Sequence, residues 1–282
     1  MPAYTALHPG FGAEAPAALL DGSPSSGRRL QEALDTHRLV LFRNAGLSDA
    51  EHVDLMRSLG EPMLENPHRE ALHSFVSNDR DDGILGESAY SFHSDHAFMP
   101  DPIEYLSLAG IDVPPGCGAT RFADMVGAAA TLPAELHRAV EGRMGKNVID
   151  PVGEPGGVRM HAERDPSLPQ AAHAALAPHP RTGALVLFVN EQQTESVSGL
   201  PRRESDALLE ALFAHLYQDA HVYVHEWEAG DLVVWDNRAL QHARPQLAAN
   251  CPRTLRRVSV GGSSVYDYFL ADGPMHRQDA PT

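Results

Sequence analysis

The histidines and the carboxylate of two distant segments could together bind one metal ion. The first segment, Ser91-Phe92-His93-Ser94-Asp95, places an imidazole and a carboxylate two residues apart. Because side chains on an extended segment alternate between faces, both would point to the same side. A second imidazole, at His242, would complete a set of two nitrogens and one oxygen. Such a set leaves positions of the ion open and suits non-haem Fe(II), so we predict that His93, Asp95 and His242 are the metal ligands.

The His-x-acid spacing does not identify a metal site by itself. The chain has 16 histidines and 38 acidic residues, and the spacing recurs at His52/Asp54, His68/Glu70 and His161/Glu163. Ser48 followed by Glu51 predicts a capped helix around His52, on which residues two apart face away from each other. The other two pairs lie in stretches rich in Pro, Gly and charge, which favour solvated loops.

Composition indicates a single globular domain over residues 1–282. The chain is 43% hydrophobic and 21% charged, and no stretch resembles a flexible linker. The formal charge of −16 argues against nucleic acid or an anionic membrane as partner, because both are polyanions. We expect a small-molecule substrate, and self-association into a homo-oligomer stays open.

The cysteine count and the N-terminus bear on location. Cys117 and Cys251 are the only cysteines, too few for a disulfide framework or a thiolate metal site. The N-terminus has no basic start followed by an apolar run, and no apolar stretch is long enough to span a bilayer. We therefore expect a protein of the reduced cytoplasm.

Many short apolar runs and few amphipathic stretches predict a mainly β protein with flanking helices. We expect an antiparallel sandwich or jelly roll, since strands from separate parts of such a barrel can bring Asp95 and His242 together. Helices are predicted at about 28–37, 49–59, 134–143 and 203–217, and strands at 39–42, 105–111, 119–122, 185–189, 221–227, 231–235 and 254–261. Residues 61–92, without strong periodicity, are predicted to include a lid over the site, and residues 144–181 are predicted to be irregular.

Several spaced blocks resemble the family of taurine and 2,4-dichlorophenoxyacetate dioxygenases. The blocks, in the family's order, are Leu39-Val40-Leu41-Phe42-Arg43, Phe92-His93-Ser94-Asp95, Gly116 to Met125, Phe188-Val189-Asn190-Glu191, Gly230 to His242, and Arg253 to Gly261. The resemblance implies a double-stranded β-helix, a cupin-like jelly roll. It also implies an enzyme that uses Fe(II), 2-oxoglutarate and O2 and releases succinate and CO2.

The resemblance assigns roles to single residues. His93, Asp95 and His242 match the iron ligands of the family. Arg253 matches the arginine that holds the distal carboxylate of 2-oxoglutarate, and Thr120 matches the hydroxyl that assists it. A guanidinium fork grips a carboxylate through two parallel hydrogen bonds, which agrees with that role.

Substrate contacts are predicted at Arg257, Tyr90, Phe92 and Gln193. Arg257 matches the family position that binds the anionic group of the primary substrate, and residues four apart on a strand share a face with Arg253. An Arg257 paired with a structural carboxylate is the alternative. Gln193 stands where the family often has an aromatic residue, and Ala119 replaces a usual acidic residue, which argues against taurine as substrate.

The predicted reaction is hydroxylation of an unactivated C–H bond in a small, anionic substrate, as a tailoring step in specialised metabolism. In the family, members that halogenate have a small residue at the carboxylate position, so Asp95 favours hydroxylation, desaturation or oxidative cyclisation. A cupin-type metal protein without oxidase activity is a further alternative, against which Arg253 and Thr120 argue. A non-catalytic ligand-binding relative is the last, against which the complete triad argues.

Overall fold

The computed structural model describes residues 4–64, 71–150, 157–160, 168–248 and 250–262. The strands are β1 Thr5–Ala6, β2 Ala13–Ala15, β3 Leu39–Phe42, β4 Ser74–Ser77, β5 Gly83–Leu85, β6 Tyr90–His93, β7 Tyr105–Asp112, β8 Ala119–Asp124, β9 Met144–Val148, β10 Gln170–Ala174, β11 Leu176–Pro178, β12 Leu185–Leu187, β13 Thr194–Val197, β14 Val222–Glu226, β15 Leu232–Asp236, β16 Leu240–Arg244 and β17 Thr254–Val260. The helices are α1 Pro24–His37, α2 Asp49–Arg57, α3 Met125–Ala130, α4 Ala134–Val140 and α5 Arg202–Leu216, and short 3₁₀ turns cover Ala17–Leu19, Gly157–Met160 and Asp219–His221.

Two largely antiparallel sheets form the body of the fold. The larger has the strand order β1-β2-β3-β15-β7-β17-β4-β5, and the smaller has the order β14-β8-β16-β6. A buried cluster that includes Leu41, Leu106 and Val233 of the large sheet and Phe122 of the small one joins them. This arrangement, with its few peripheral helices, is the predicted jelly roll.

Side-chain alternation gives the large sheet two buried faces. On β3, Leu39 and Leu41 belong to the cluster shared with the small sheet, whereas Val40 and Phe42 pack with α1 and α2. A strand covered on both faces is a continuous apolar run, as the sequence of β3 is. Two further sheets, β10-β9-β13 and β11-β12, belong to the outer part of the molecule with α3, α4 and α5.

The helix around His52 begins as the sequence predicts. Ser48 and Glu51 form the reciprocal capping box, and α2 follows from Asp49. His52 is fully buried, with its Nε2 2.7 Å from Ser107 Oγ, while Arg256 donates from Nε to its Nδ1 at 3.0 Å. His52 and Asp54 therefore form no metal site, whereas the pairs His68/Glu70 and His161/Glu163 lie outside the described residues.

Two segments predicted to be irregular contain strands. Within 61–92, β4 pairs antiparallel with β17 and β5 pairs parallel with β4, so residues 71–92 are not one continuous loop. Within 144–181, β9 pairs with β10 and β13, and β11 pairs with β12. These strands have few apolar residues at regular spacing. Pairing with neighbouring strands determines their conformation, and a local sequence pattern does not show such pairing. Residues 65–70, 151–156 and 161–167 are outside the described part.

Cys117 and Cys251 form a disulfide, with their Cα atoms 5.1 Å apart. A single disulfide is not a framework of several bonds. Its presence nevertheless differs from what is expected in a reduced cytoplasm, where disulfides are rare. It joins the turn before β8 to the segment before β17. No helix in the described ranges combines the length and the apolar character needed to cross a bilayer.

Candidate metal centre and co-substrate pocket

The small sheet brings the two predicted histidine ligands face to face. His242 on β16 is the direct cross-strand partner of His93 at the end of β6, and the ring centroids are 4.3 Å apart. Nε2 of His93 lies 3.1 Å and Nε2 of His242 lies 3.9 Å from Oδ1 of Asp95. In the parts of the chain that the structure describes, this is the one group of three such side chains close enough to hold a common ion.

Asp95 reaches this group from a turn and not from the strand. The sequence predicts that one extended segment carries both His93 and Asp95, but β6 ends at His93 and a turn begins at Asp95. Asn237 fixes that turn, because it accepts from the Asp95 backbone N–H at 2.9 Å and donates to the Asp95 and Ile103 carbonyls at 3.0 and 2.9 Å. Asn237 is a positioning residue that lies inside a recognised motif but had no predicted role.

Hydrogen bonding and charge prepare the ligands for a cation. His93 Nδ1 lies 2.8 Å from the Ser91 carbonyl, so Nδ1–H donates there and Nε2 presents its lone pair. Burial would raise the pKa of Asp95, but Arg257 and the two imidazoles hold it well below its usual value. Burial and the neighbouring His93 lower the pKa of His242 to about 3. The set offers one carboxylate and two imidazole nitrogens, which fits Fe(II).

A buried cation lies beside the triad in a cavity lined by Thr120, Arg253, Leu255 and both histidines. Arg253 is 1% exposed, and its Nε and Nη1 meet no acceptor among the described residues. Leaving a buried guanidinium without acceptors is costly. A bound carboxylate would supply the missing acceptors on one edge of this guanidinium, so the cavity fits the distal end of 2-oxoglutarate, whose keto acid end would then face the triad.

Thr120 and Gly118 shape this end of the cavity. Trp227 donates from Nε1 to Thr120 Oγ1 at 2.9 Å, which leaves the hydroxyl proton of Thr120 free to donate to a ligand. Gly118 has φ +90°, and a Cβ there would come within 3.0 Å of Arg253 Nη1 and 2.7 Å of Leu247 Cδ2. Only glycine gives the guanidinium this room. No sequence signal linked Trp227 to Thr120, because their strands are distant in the chain.

A second cavity adjoins the metal site on its other side. Tyr90, His93, Asp95 and Arg257 line both cavities, whereas Gln193 lines only the second, with His96, Phe98, Ile149, Asp150 and Gln192. Gln193 is 6% exposed, and its Oε1 meets no donor in the described structure. Three predicted substrate residues, Arg257, Tyr90 and Gln193, thus lie around one space.

Phe92 does not lie with them, which corrects its prediction as a pocket residue. Its ring stacks on Tyr217 at 4.3 Å in a small separate cluster, because strand alternation turns it away from His93. Trp235 belongs to the main core and meets the His242 ring edge-on at 5.1 Å, as expected of a core residue beside the site. Asn78 contributes indirectly, since its Oδ1 accepts from the Arg253 backbone N–H at 2.9 Å.

The sequence predicts that Arg257 either binds the anionic group of the substrate or pairs with a structural carboxylate. In the structure, Arg257 both contacts a carboxylate and lines the cavities beside the triad. Its Nη2 lies 2.9 Å from Oδ2 of Asp95, and it also donates to Ser259 Oγ. The carboxylate that it meets belongs to Asp95, a predicted metal ligand. Because it also lines both cavities, a charged edge of Arg257 faces the space where a substrate would lie.

Comparison with known proteins places this geometry in a family. Residues 3–259 match the model of the taurine catabolism dioxygenase TauD, TfdA family. The chain is 27% identical over 277 residues to an alpha-ketoglutarate-dependent 2,4-dichlorophenoxyacetate dioxygenase of Burkholderia sp., covering 91% of this chain and 93% of that one. It is 28% identical over 256 residues to pentalenolactone F synthase of Streptomyces avermitilis, covering 80% and 82%. The structure of a taurine dioxygenase from Burkholderia xenovorans superposes with a TM-score of 0.78 at 28% identity, covering 93% and 91%.

Proposed function

The chain belongs to the taurine catabolism dioxygenase TauD, TfdA family, and on that premise we propose that it hydroxylates an unactivated C–H bond of a small, anionic substrate. As a member, it is a 2-oxoglutarate-dependent dioxygenase that uses Fe(II) and O2. Fe(II) with 2-oxoglutarate and O2 supplies an oxidant strong enough for such a bond, while 2-oxoglutarate becomes succinate and CO2.

The observation that carries the proposal is the buried, acceptor-free guanidinium of Arg253 beside the triad. We assign His93, Asp95 and His242 as the iron ligands, and Arg253 with Thr120 as the clamp for the distal carboxylate. A metal protein without oxidase chemistry has no need for this cation in a closed cavity. The same feature argues against a cupin-type lyase or isomerase.

An anionic substrate is supported by Arg257. Its guanidinium lines the second cavity, which Arg253 does not reach and where Tyr90 and Gln193 add an aromatic face and an amide. The Asp95 carboxylate engages one edge of Arg257, which orients the group toward the cavity. An anion there would contact a preorganised guanidinium and lie next to the metal.

The segment within 61–92 is part of the proposal as a lid. Leu85 and Tyr90, at the ends of β5 and β6, line both cavities. We propose that the turn between them closes over the site, which would keep water from the reacting carbon.

A tailoring step in specialised metabolism is the biological context we propose. Its support is the similarity to pentalenolactone F synthase. The sequence identity to a 2,4-dichlorophenoxyacetate dioxygenase is nearly the same, 27% against 28%. Measured turnover of candidate substrates must therefore decide the substrate class.

The test uses purified protein with Fe(II), ascorbate and labelled 2-oxoglutarate. We expect slow succinate formation without a primary substrate. Absence of succinate would contradict the assignment of oxygenase activity. A panel of carboxylates, sulfonates, sulfate esters and amino-acid derivatives is then screened for faster succinate release. Product mass separates hydroxylation, which adds one oxygen atom, from desaturation or ring closure, which removes two hydrogens.

A further inference from the structure

Arg244 is a second buried cation in the cavity that holds Arg253. It lies on β16 two residues after the ligand His242, so strand alternation turns both side chains to the same face. Arg244 is 7% exposed and lines the cavity with Thr120 and Arg253. It is not among the residues around the second cavity, where Gln193 lies.

Backbone carbonyls accept hydrogen bonds from only two of the three nitrogens of the Arg244 guanidinium. Nε donates to the Ser88 carbonyl at 3.1 Å, and Nη2 donates to the Leu85 carbonyl at 2.9 Å. Nη1 is buried and meets no acceptor among the described residues, the same condition as Nε and Nη1 of Arg253. No carboxylate in the described ranges forms an ion pair with Arg244.

The two arginines lie close enough for their charges to interact. Burial, and next the charge of Arg244, lower the pKa of Arg253 to about 10. Two like charges in one closed cavity are costly unless an anion lies between them. A carboxylate has two oxygens and about four lone-pair sites, enough to accept from both guanidinium groups.

We propose that Arg244 is a second binding residue for the distal carboxylate of 2-oxoglutarate, opposite Arg253, and that it restricts the co-substrate to 2-oxo dicarboxylates. This inference rests on the proposed clamp of Arg253 and Thr120. It adds a second cation, Arg244, to this clamp, and Arg244 lies on the same strand as the proposed iron ligand His242. The same strand thus holds both ends of the co-substrate.

A purely structural role for Arg244 is the competing explanation. Its bonds to the Ser88 and Leu85 carbonyls tie the segment between β5 and β6 to β16, and its guanidinium lies 5.4 Å from the Tyr90 ring centroid. Loss of that tie would disturb binding of any keto acid in the cavity. A distal-carboxylate role would disturb only keto acids that carry this group.

The experiment compares two keto acids on the Mn(II)-loaded protein by calorimetric titration, so that no turnover is needed. The first is 2-oxoglutarate, and the second is 2-oxopentanoate, which keeps the chelating end but has a methyl group at the distal end. For Arg244→Gln we expect affinity for 2-oxoglutarate to fall roughly 10- to 100-fold, the range for a charged hydrogen bond. Affinity for 2-oxopentanoate should stay within about twofold of wild type, since it lacks the distal carboxylate.

Controls separate this inference from the clamp. Arg121→Gln removes an exposed arginine of β8 and should leave both affinities unchanged. Arg253→Gln should also lower the affinity for 2-oxoglutarate without lowering the affinity for 2-oxopentanoate. If it does not, the clamp proposal is wrong, independently of the result for Arg244→Gln. Equal losses for both keto acids in Arg244→Gln, or no loss of 2-oxoglutarate affinity, would overturn the inference about Arg244.

A second variant covers the case in which Arg244→Gln does not fold. Arg244→Lys keeps the positive charge and one donor for the loop carbonyls but loses the planar fork. We expect its 2-oxoglutarate affinity to fall at least about threefold with 2-oxopentanoate affinity unchanged. Unchanged affinity for both keto acids would reject the proposal.

Discussion

Arg257 donates from Nη2 to Oδ2 of Asp95 across 2.9 Å, while Oδ1 of the same carboxylate faces the two histidines. One oxygen is therefore directed at the metal position and the other is held by a cation that lines the substrate cavity. This contact connects the orientation of a metal ligand with the place where an anionic substrate would bind.

Replacing Asp95 by Ala should abolish metal binding and hydroxylation together. The two imidazoles would remain without the one anionic ligand, and Arg257 would lose the carboxylate that it contacts beside the ion position. Calorimetric titration with Mn(II) and succinate formation with Fe(II) measure the two losses. Asp112→Ala, at an exposed position at the end of β7, is the matched control. Full hydroxylase activity in Asp95→Ala would show that the triad is misassigned.

For Arg253→Leu we expect the 2-oxoglutarate concentration at half-maximal succinate formation to rise on the order of 100-fold, because a charge-assisted fork to the distal carboxylate is lost. The affinity for Mn(II) without keto acid should not change. Arg121→Leu serves as the exposed control. An unaltered 2-oxoglutarate requirement in Arg253→Leu would remove this residue from the co-substrate pocket.

Asn237→Ala should weaken metal binding about 10- to 100-fold, the usual effect of losing a residue that positions a ligand. Two hydrogen bonds hold the Asp95 backbone to Asn237, a third anchors the same amide to the Ile103 carbonyl, and none of them touches the metal position itself. Asn237→Asp, which keeps the shape but cannot donate to the two carbonyls, should show a similar loss. If both variants bind Mn(II) like wild type, the Asp95 turn keeps its shape without Asn237.

The disulfide should support both stability and co-substrate binding. Cys117 lies three residues before Thr120 and Cys251 lies two residues before Arg253, and the bond closes a separation of 134 residues. In the chain-entropy description, a loop of this length contributes about 5 kcal/mol to the free energy of unfolding. The Cys117→Ser/Cys251→Ser double variant should unfold at lower denaturant concentration and need more 2-oxoglutarate.

Reductant is the matched control for the disulfide. Wild type treated with a thiol reductant should behave like the double variant, and the double variant should not respond to reductant. Equal stability and equal 2-oxoglutarate affinity with and without the bond would contradict this role.

His52 should make stability depend on pH. Burial, and next the charge of Arg256, lower its pKa to about 3, so the folded protein keeps the ring neutral while the unfolded chain protonates it near its usual value. Because the unfolded state binds the proton first, the free energy of unfolding should fall as pH decreases below about 6.5, by up to about 1.4 kcal/mol per pH unit. Urea unfolding of wild type and His52→Asn between pH 7.5 and 5 checks this, and parallel curves would exclude His52 as the source.

Much of the site was predictable because its residues lie in contiguous motifs. His93 and Asp95, the segment ending at His242, and Arg253 stand in short blocks of fixed order, and the capping box fixed the start of α2. Phe92 was misplaced because nearness in sequence was used, whereas its side chain alternates away from the adjacent His93. Alternation alone would also have excluded Tyr90, which a register irregularity in the pairing of β6 with β16 leaves on the side of His93. The same alternation rule applied to His242 would have found Arg244.

Other features depended on partners far away in the chain. The strands β9 and β10 form because backbone groups of segments more than twenty residues apart complete their ladders, not because their side chains alternate. The hydrogen bond from Trp227 to Thr120 and the bond between Cys117 and Cys251 are tertiary contacts. Two cysteines in a sequence show neither their separation in space nor their direction.

The two histidines occupy unequal places in their sheet. β16 is an inner strand bonded on both sides, whereas β6 is an edge strand, beyond which Gln192 bonds to the backbone of Ser91 and Phe92. Gln192 and Gln193 lie in the connection between β12 and β13, on the substrate side of the metal. A lineage can therefore change which molecule is oxidised by altering this peripheral connection, while it inherits the three proposed iron ligands unchanged.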